Sequence, residues 1–106
     1  GVELPVESGL DCYVVAVGER AKDEAVRLVY ALRRSGLRVD QDYLGRKLKA
    51  QLKAADRLGA SFVAMIGDEE LESGAATVKD MASGEQMKVP FGELAHVLAK
   101  RTGREE

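Results

Sequence analysis

The residues with the clearest capacity for chemistry lie between Arg46 and Glu72, where cations and carboxylates form two separate groups. Five cations and a single acid, Asp56, occur from Arg46 to Arg57, whereas four acids and no cation occur from Asp68 to Glu72. Cations contact phosphates well, and carboxylates can accept hydrogen bonds from base edges. Charges of both signs in one place suit the recognition of unpaired bases better than the gripping of a phosphate backbone.

Residue patterns typical of catalysis are missing from the sequence. It contains no GxxxxGK[ST] phosphate loop, no GxGxxG after the first apolar run, no GxSxG elbow and no HExxH. One cysteine and one histidine cannot make a zinc site. Cys12 is interpreted as a small core residue, and His96 as a packing or surface residue of a helix. Only the carboxylates near Asp68 leave an enzyme as an alternative, so we expect neither a catalytic nor a metal site.

Length and composition predict one globular domain. The 106 residues are 45% apolar and 32% charged, which is typical of a folded protein. No apolar run approaches the ~20 residues that span a bilayer, and the first residues lack a signal-peptide pattern. The net charge of −2 argues against a grip on a long nucleic acid but leaves room for a local basic face. The single Cys12 cannot form an internal disulfide, which fits a reducing compartment.

Hydrophobic periodicity predicts an alternation of strands and helices. Two βα units that return to buried strands imply parallel pairing with right-handed crossovers, and the later strands form an antiparallel hairpin that turns at Ser83-Gly84. Pro90 is expected to break the hairpin ladder and open the last helix. The order β-α-β-α-β-β-β-α corresponds to an α/β fold, a three-layer α/β/α sandwich on a five-stranded mixed sheet. The predicted strands are Cys12–Val17, Leu37–Gln41, Ser61–Ile66, Ala75–Asp80 and Gln86–Val89, and the predicted helices are Arg20–Ser35, Arg46–Leu58 and Phe91–Arg101.

Each predicted helix has one apolar face, and the second helix carries its cations on the opposite face. A solvated charged surface is the ordinary interpretation of such a helix. The cations expected on this face are Arg46, Lys49, Lys53 and Arg57. The expected buried positions are Ala21, Ala25, Leu28, Val29 and Leu32 in the first helix, Leu48, Leu52, Ala55 and Leu58 in the second, and Phe91, Leu94, Val97 and Leu98 in the last.

The ends of two predicted strands give the charged residues a place to meet. In an open α/β sheet, ligands bind beyond the carboxyl ends of the strands, where the strand order changes direction. If the first strand is central, its end at Val17-Gly18 and the end of the third at Ile66-Gly67 flank such a crevice. The second helix would begin nearby, with N–H groups available to an anion. The basic helix and the acidic loop would then share one edge of the sheet.

The stretch GRKLKAQLKAADRLGASFVAMIGDEELESGAATVKDMASGEQMKVP, from Gly45 to Pro90, is similar to the C-terminal anticodon-binding domain of histidyl-tRNA synthetases. The resemblance extends over nearly the whole chain, from about Asp11 to Arg101. Related domains occur in the threonyl, prolyl and glycyl enzymes of this class II subclass. The motifs closest to the histidyl version are GRKLKAQLKAADRLGA, IGDEELESG and VKDMASGEQ. The resemblance implies the same five-stranded α/β/α fold and binding of the anticodon loop of histidine tRNA.

The resemblance also implies individual binding residues. Glu70 matches a position that recognises an anticodon base in this subclass, and Lys79 matches a basic position that reaches the same loop. Gly45 and Arg46 match the start of the second helix, which also lies near the anticodon. The prediction extends to three further cations of that helix, where family sequences vary. The full set of expected tRNA anticodon-binding residues is Glu70, Lys79, Gly45, Arg46, Lys47, Lys49 and Lys53.

The chemistry of such an enzyme, activation of histidine by ATP with Mg and transfer to tRNA, belongs to a separate class II catalytic domain. None of that domain's motifs occurs here, so this fragment is expected to bind and not to catalyse, and to hold no cofactor. The chain begins at Gly1 without an initiator methionine. We expect residues 1–10 to be a linker from the missing catalytic domain, residues 11–102 the anticodon-binding domain, and residues 103–106 a frayed tail.

Further expectations concern the parent protein. The resemblance implies a cytoplasmic bacterial histidine-tRNA ligase with no membrane association, and a homodimer held mostly through the catalytic domain, which is compatible with a monomeric fragment. One alternative uses the same fold as a regulatory or protein-interaction module of a synthetase-like paralogue. Another, a small-molecule binder or enzyme of flavodoxin-like shape, is disfavoured by the missing phosphate loops.

Overall fold

A computed structural model of the chain describes residues 10–41 and 47–102. The predictions for Gly45 and Arg46, for residues 1–9 of the linker and for the tail at 103–106 lie outside the described residues. Leu10, the last residue of the predicted linker, packs against the core, and its carbonyl oxygen accepts a hydrogen bond from the Ser61 N–H at 2.9 Å. Among the described residues, no helix has the length and apolar character needed to cross a membrane.

The strands and helices follow the predicted alternation with one addition, a short helix between the third and fourth strands. Strand and helix ends differ from the predicted ones by one or two residues at most places. The elements are β1 (Cys12–Ala16), α1 (Glu19–Arg34), β2 (Val39–Gln41), α2 (Leu48–Arg57), β3 (Phe62–Ile66), α3 (Asp68–Ser73), β4 (Ala75–Asp80), β5 (Gln86–Pro90), a 3-10 turn (Phe91–Glu93) and α4 (Leu94–Thr102).

The five strands form one sheet in the order β2-β1-β3-β4-β5. β1 is parallel to β2 and to β3, whereas β4 is antiparallel to β3 and β5 is antiparallel to β4. The predicted mixed sheet is confirmed, and β1 lies inside the sheet, between β2 at one edge and β3 in the middle. Because the chain leaves β1 toward β2 and then returns to β3 on the other side, the strand order changes direction between β1 and β3.

Helices cover both faces of the sheet, and alternation along β1 divides its side chains between two cores. Cys12 and Val14 belong to the core under α1 and α4, whereas Tyr13 and Val15 belong to the core under α2. The predicted three layers are therefore confirmed. The buried residues of α1 are the five predicted ones, Ala21, Ala25, Leu28, Val29 and Leu32.

The prediction for the buried face of α2 is wrong in part. Leu48 and Leu58 are 40% and 44% exposed, and the buried positions are Gln51, Ala54 and Ala55. Two small alanines let the helix approach the sheet, and the polar Gln51 takes a place that periodicity assigned to leucine. Compared with the predicted orientation, the helix is rotated about its axis. Leu48 consequently lies at the edge of a crevice at the carboxyl ends of the strands.

Gln51 is buried because it completes the hydrogen bonding of β1. Its Oε1 accepts a hydrogen bond from the Ala16 N–H at 3.3 Å, and its Nε2 donates to the Ala16 carbonyl oxygen at 3.1 Å. The pairing of β2 with β1 ends at Val14, two residues earlier. A buried amide without a partner costs free energy. The Gln51 side chain thus replaces a neighbouring strand at the end of β1.

The predicted acidic loop is the helix α3, which is a correction to the sequence analysis. Asp68, Glu69 and Glu70 occupy its first turn, where carboxylates are stabilised by the helix dipole. Gly74 ends the helix with a φ of +75°, a left-handed conformation that glycine adopts without strain. The expectation for Pro90 is also corrected, because it is still paired with Ala75 in the ladder and α4 begins only after the 3-10 turn.

Replacing Gln51 by leucine should lower the free energy of unfolding by about 1–3 kcal/mol, because both backbone groups of Ala16 lose a partner. Denaturant unfolding of the chain measures this loss. Lys49→Leu on the exposed face of the same helix is the control and should change stability by a few tenths of a kcal/mol at most. Equal stability of the two variants would show that the Gln51 contacts contribute nothing.

Candidate nucleic-acid interface

A crevice of about 320 Å³ opens at the carboxyl ends of β1 and β3, where the sequence analysis placed it. Its size is at the lower limit of small-ligand sites. Val17 and Leu48, at its margin, are among the exposed large apolar residues of the domain, at 45% and 40%. The lining side chains are Val17, Leu48, Met65, Ile66, Asp68, Glu69, Glu70 and Thr77, together with Gly67. The crevice therefore combines apolar walls with an acidic rim.

Glu70 accepts hydrogen bonds from three parts of the structure. Its Oε1 accepts from the Gly67 N–H at 2.8 Å, and its Oε2 accepts from the Thr77 hydroxyl at 2.8 Å and from Lys88 Nζ at 3.2 Å. A Cβ atom at position 67 would lie 3.2 Å from Oε1, so glycine permits this close approach. The carboxylate connects the start of α3 to β4 and β5, and its position is fixed before any ligand arrives.

These contacts also control the ionisation of Glu70, whose side chain is only 14% exposed. Burial acts to raise the pKa of the carboxyl group, but the hydrogen bonds from Thr77, Gly67 and Lys88 outweigh it, and the pKa lies below its ordinary value. Glu70 is consequently a carboxylate, able to accept hydrogen bonds only, at neutral pH.

Lys88 and Thr77 are site residues that the sequence analysis missed. They are direct cross-strand neighbours on β5 and β4, and Thr77 is also paired with Met65 of β3. Alternation along the hairpin could have indicated that Lys88 and Thr77 lie on one face of the sheet. The contact with Glu70 could not have been found in this way, because it depends on where α3 leaves the sheet.

The structure brings Lys79 to the same sheet face as this site. Lys79 is two residues after Thr77 on β4 and therefore points the same way, about 7 Å farther along the strand. It is paired with Val63 of β3 and Gln86 of β5. Lys79 is half-buried, whereas Gln86 is exposed. Glu70 and Lys79 thus share the face of β4 and β5 that lies beside α2.

The described cations of the predicted second helix are exposed but do not line the crevice. Lys47 precedes the helix in an extended conformation. Lys49 and Lys53 line a separate, open depression of about 600 Å³ together with Leu52, Asp56 and Arg57. The sequence-predicted residues therefore form two groups, one around Glu70 and one along α2.

The single cysteine and the single histidine belong to neither group. Cys12 is completely buried, and burial raises the pKa of its thiol to about 12, as expected for an unreactive core residue. His96 is exposed on α4. Within residues 10–41 and 47–102, no group of three or more His, Cys, Asp or Glu side chains is placed to hold a metal ion.

Comparison with known proteins gives a family for the chain. The model of a family described as "Anticodon binding domain" matches residues 11–101. Over its whole length the chain is 87% identical to a histidine–tRNA ligase of Geobacillus kaustophilus and 77% identical to one of Geobacillus thermodenitrificans. It covers 25% of each of these proteins. The chain thus spans about a quarter of the length of the curated relatives it matches.

Solved structures agree with this family. The crystal structure of apo histidyl-tRNA synthetase from S. aureus superposes with a TM-score of 0.85 at 43% identity, and the match covers 92% of this chain and 25% of that one. The RNA-binding domain of threonyl-tRNA synthetase from Cryptosporidium parvum superposes with a TM-score of 0.78 at 17% identity, and the match covers 86% of this chain and 23% of that one. The second likeness concerns the fold alone.

The contacts of Glu70 predict a pH-dependent stability. Because its folded-state pKa is lowered, Glu70 stabilises the domain above the ordinary pKa of 4.5, and this stabilisation is lost as the pH falls through the folded-state pKa. Glu70→Gln should lower the free energy of unfolding at neutral pH by about 1–3 kcal/mol. It should also flatten the pH dependence of stability below about pH 5.

Glu69→Gln is the matched control, because it removes the same charge from the same turn of α3 at an exposed position. Denaturant unfolding at several pH values compares the three proteins. The interpretation is wrong if Glu70→Gln and Glu69→Gln have the same pH dependence.

Proposed function

The chain belongs to the anticodon-binding domain family, and from this we propose that it recognises the anticodon loop of histidine tRNA as part of a histidyl-tRNA synthetase. The high identity to two histidine–tRNA ligases supports the amino-acid specificity. The domain does not perform the reaction itself. Its task is to distinguish one tRNA from the others by the bases of the anticodon.

The observation that carries this proposal is the crevice with Glu70 fixed at its edge. Unpaired bases are recognised when they leave the stack, contact apolar or aromatic surface, and form hydrogen bonds along their Watson–Crick edge. The crevice offers apolar walls at Val17 and Leu48 and a carboxylate acceptor at Glu70. Guanine presents two adjacent donors on that edge, and the histidine anticodon contains guanine. An ionised, positioned carboxylate is complementary to those donors.

The cations along α2 contribute affinity in a different way. Lys49 and Lys53 lie in a broad, open depression and have no enclosed geometry that could distinguish bases. Exposed lysines interact with phosphates without sequence preference and position the nucleic acid. We assign Lys79, on the same sheet face as Glu70, to a contact with the same loop. In this proposal Lys47, Lys49 and Lys53 hold the backbone of the loop while Glu70 selects a base.

The remaining properties of the parent protein belong to the same proposal. The relatives are about four times as long as this chain, and we assign the activation of histidine, with ATP and Mg, to a catalytic domain in the rest of the parent. We also assign to the parent the homodimeric state and the cytoplasmic location. This fragment contributes tRNA binding and needs no cofactor for it.

A titration with RNA stem-loops tests the proposal. The chain should bind a stem-loop with the histidine anticodon more tightly than the same stem-loop with its anticodon guanines replaced by adenines. We expect about 1–3 kcal/mol for each recognised base, by analogy with base readout in duplex grooves. Fluorescence anisotropy at low salt measures both affinities. Equal affinities, or binding to neither loop at high protein concentration, would contradict the proposal and favour a regulatory or protein-interaction role.

Charge reversal on α2 separates positioning from recognition. Lys49→Glu with Lys53→Glu should weaken binding to both stem-loops by a similar factor. It should also reduce the slope of log K against log salt by roughly 0.7 for each lost phosphate contact. Lys22→Glu with Lys100→Glu changes the same charge on α1 and α4, on the other side of the sheet, and serves as the control. An unchanged salt dependence in the α2 variant would mean that this basic face is only a solvated surface.

A further inference from the structure

The hydrogen bonds of Glu70 limit how it can accept a base. A carboxylate accepts about four hydrogen bonds, and Glu70 already accepts at least three, from Gly67, Thr77 and Lys88. Guanine would bring two further donors, N1–H and the N2 amino group, one for each carboxylate oxygen. Binding of guanine therefore requires that one of the present donors leave the carboxylate.

The three donors differ in how easily they can leave. The Gly67 N–H belongs to the backbone at the start of α3, and Thr77 has a short side chain on β4. The Lys88 side chain is long, 53% exposed, and linked to Oε2 at 3.2 Å, the longest of the three distances. The ammonium of an exposed lysine can move a few ångströms on its flexible stem and remain in water, which the other two donors cannot do. Lys88 is consequently the donor that a base would displace.

We infer that Lys88 is a further specificity-determining residue, which moves from Glu70 Oε2 to the O6 atom of an anticodon guanine as the base binds. This inference rests on the proposed function, which assigns Glu70 to the two donors of guanine, and adds Lys88 as the donor to its O6 acceptor. Lys88 Nζ, Glu70 Oε2 and Glu70 Oε1 present a donor followed by two acceptors, which is the pattern that cytosine presents to guanine. Guanine N1–H takes the place of the ammonium at Oε2, and the N2 amino group donates to Oε1.

When guanine replaces Lys88 at Glu70 Oε2, the polar groups have hydrogen-bond partners both before and after the base binds. Before binding, Lys88 neutralises the mostly buried carboxylate of Glu70, so that neither charge lacks a partner. After binding, the ammonium contacts O6 and stays beside the carboxylate. Thr77 lies directly across from Lys88 in the ladder and keeps its hydrogen bond to Oε2 throughout.

The other bases fit this pattern poorly. Adenine would direct its amino group toward the Lys88 ammonium and its N1 lone pair toward the Glu70 carboxylate, so both contacts are repulsive. Cytosine has the same two conflicts. Uracil can accept from Lys88 with its O4 and donate to Oε2 with its N3–H, but its O2 acceptor faces the acceptor Oε1. Leaving buried polar groups unpaired is a strong source of discrimination, and this pair can therefore select guanine from the four bases.

Analogues of guanine in the stem-loop test the role of Lys88 separately from that of Glu70. Substitution by 6-thioguanine replaces O6 with a weak sulfur acceptor and keeps N1–H and the N2 amino group, whereas inosine removes only the N2 amino group. The wild-type chain should prefer guanine to 6-thioguanine at one anticodon position by about tenfold or more. In Lys88→Met this preference should fall to nearly one, while the preference for guanine over inosine persists.

Two further variants control the experiment. Lys88→Arg retains a cationic donor and should keep a preference for guanine over 6-thioguanine. Lys100→Met removes a lysine from α4, in the opposite layer, and should leave all preferences unchanged. Denaturant unfolding of each variant verifies the fold, because an exposed position such as Lys88 should tolerate substitution apart from the loss of its ion pair.

The outcomes separate this inference from the proposed function. If Lys88→Met weakens the guanine and 6-thioguanine loops by the same factor at every position, Lys88 acts as a general charge and the inference is wrong, although recognition of the anticodon stands. The same conclusion holds if Lys100→Met reproduces the effect of Lys88→Met. If the wild-type chain shows no preference for guanine at any position, the proposed function fails and the inference fails with it.

Discussion

The parallel pairing of β1 with β3 is the constraint on which the rest of the domain depends. Five residue pairs, from Cys12 with Phe62 to Ala16 with Ile66, bring the carboxyl ends of the two strands to the same level. From that level the chain leaves β1 into α1 and leaves β3 into α3. Both helices pack on the same side of the sheet, where Leu71 of α3 joins the core under α1. The face beside α2 is therefore left open at the ends of the two strands, where the strand order changes direction. The crevice is thus a consequence of topology and not of any one side chain.

Electrostatics distinguishes Glu70 from the other acids of α3. Asp68 forms a 3.9 Å ion pair with Arg20 in which both side chains are about 70% exposed, and such a pair contributes little free energy. Glu70 is mostly buried and accepts hydrogen bonds from Thr77 and Lys88, so its charge is both stabilised and directed. A preorganised acceptor loses less conformational entropy on binding than a free side chain would. The same contacts explain why one carboxylate of an acidic stretch is suited to recognition.

The separation of the two depressions, to which we assign different roles, follows from the orientation of α2. Gln51 holds the helix against β1 and turns Leu48 toward the crevice, while Lys49 and Lys53 remain on the outward side. An apolar margin and a cationic surface thereby lie on one helix, a few residues apart. In the proposed function, one side of this helix lies near the bases of the bound loop and the other side near its phosphates. Lys79 lies on the same sheet face, paired with Val63 of β3.

The sequence by itself determined the layers, the mixed sheet, the inward face of α1 and the location of the crevice, because hydrophobic periodicity and strand ends are local properties. The motif around Glu70 also identified the acidic residue that the structure holds at the crevice. Tertiary structure decided what the pattern could not. Gln51 is buried because it forms hydrogen bonds with Ala16, which is 35 residues away in the sequence. Lys88 donates a hydrogen bond to Glu70, 18 residues away, because the pairing of β5 with β4 brings the two side chains together. Contacts between distant segments depend on how helices and strands are arranged in space. That arrangement cannot be predicted from the hydrophobic periodicity within one segment.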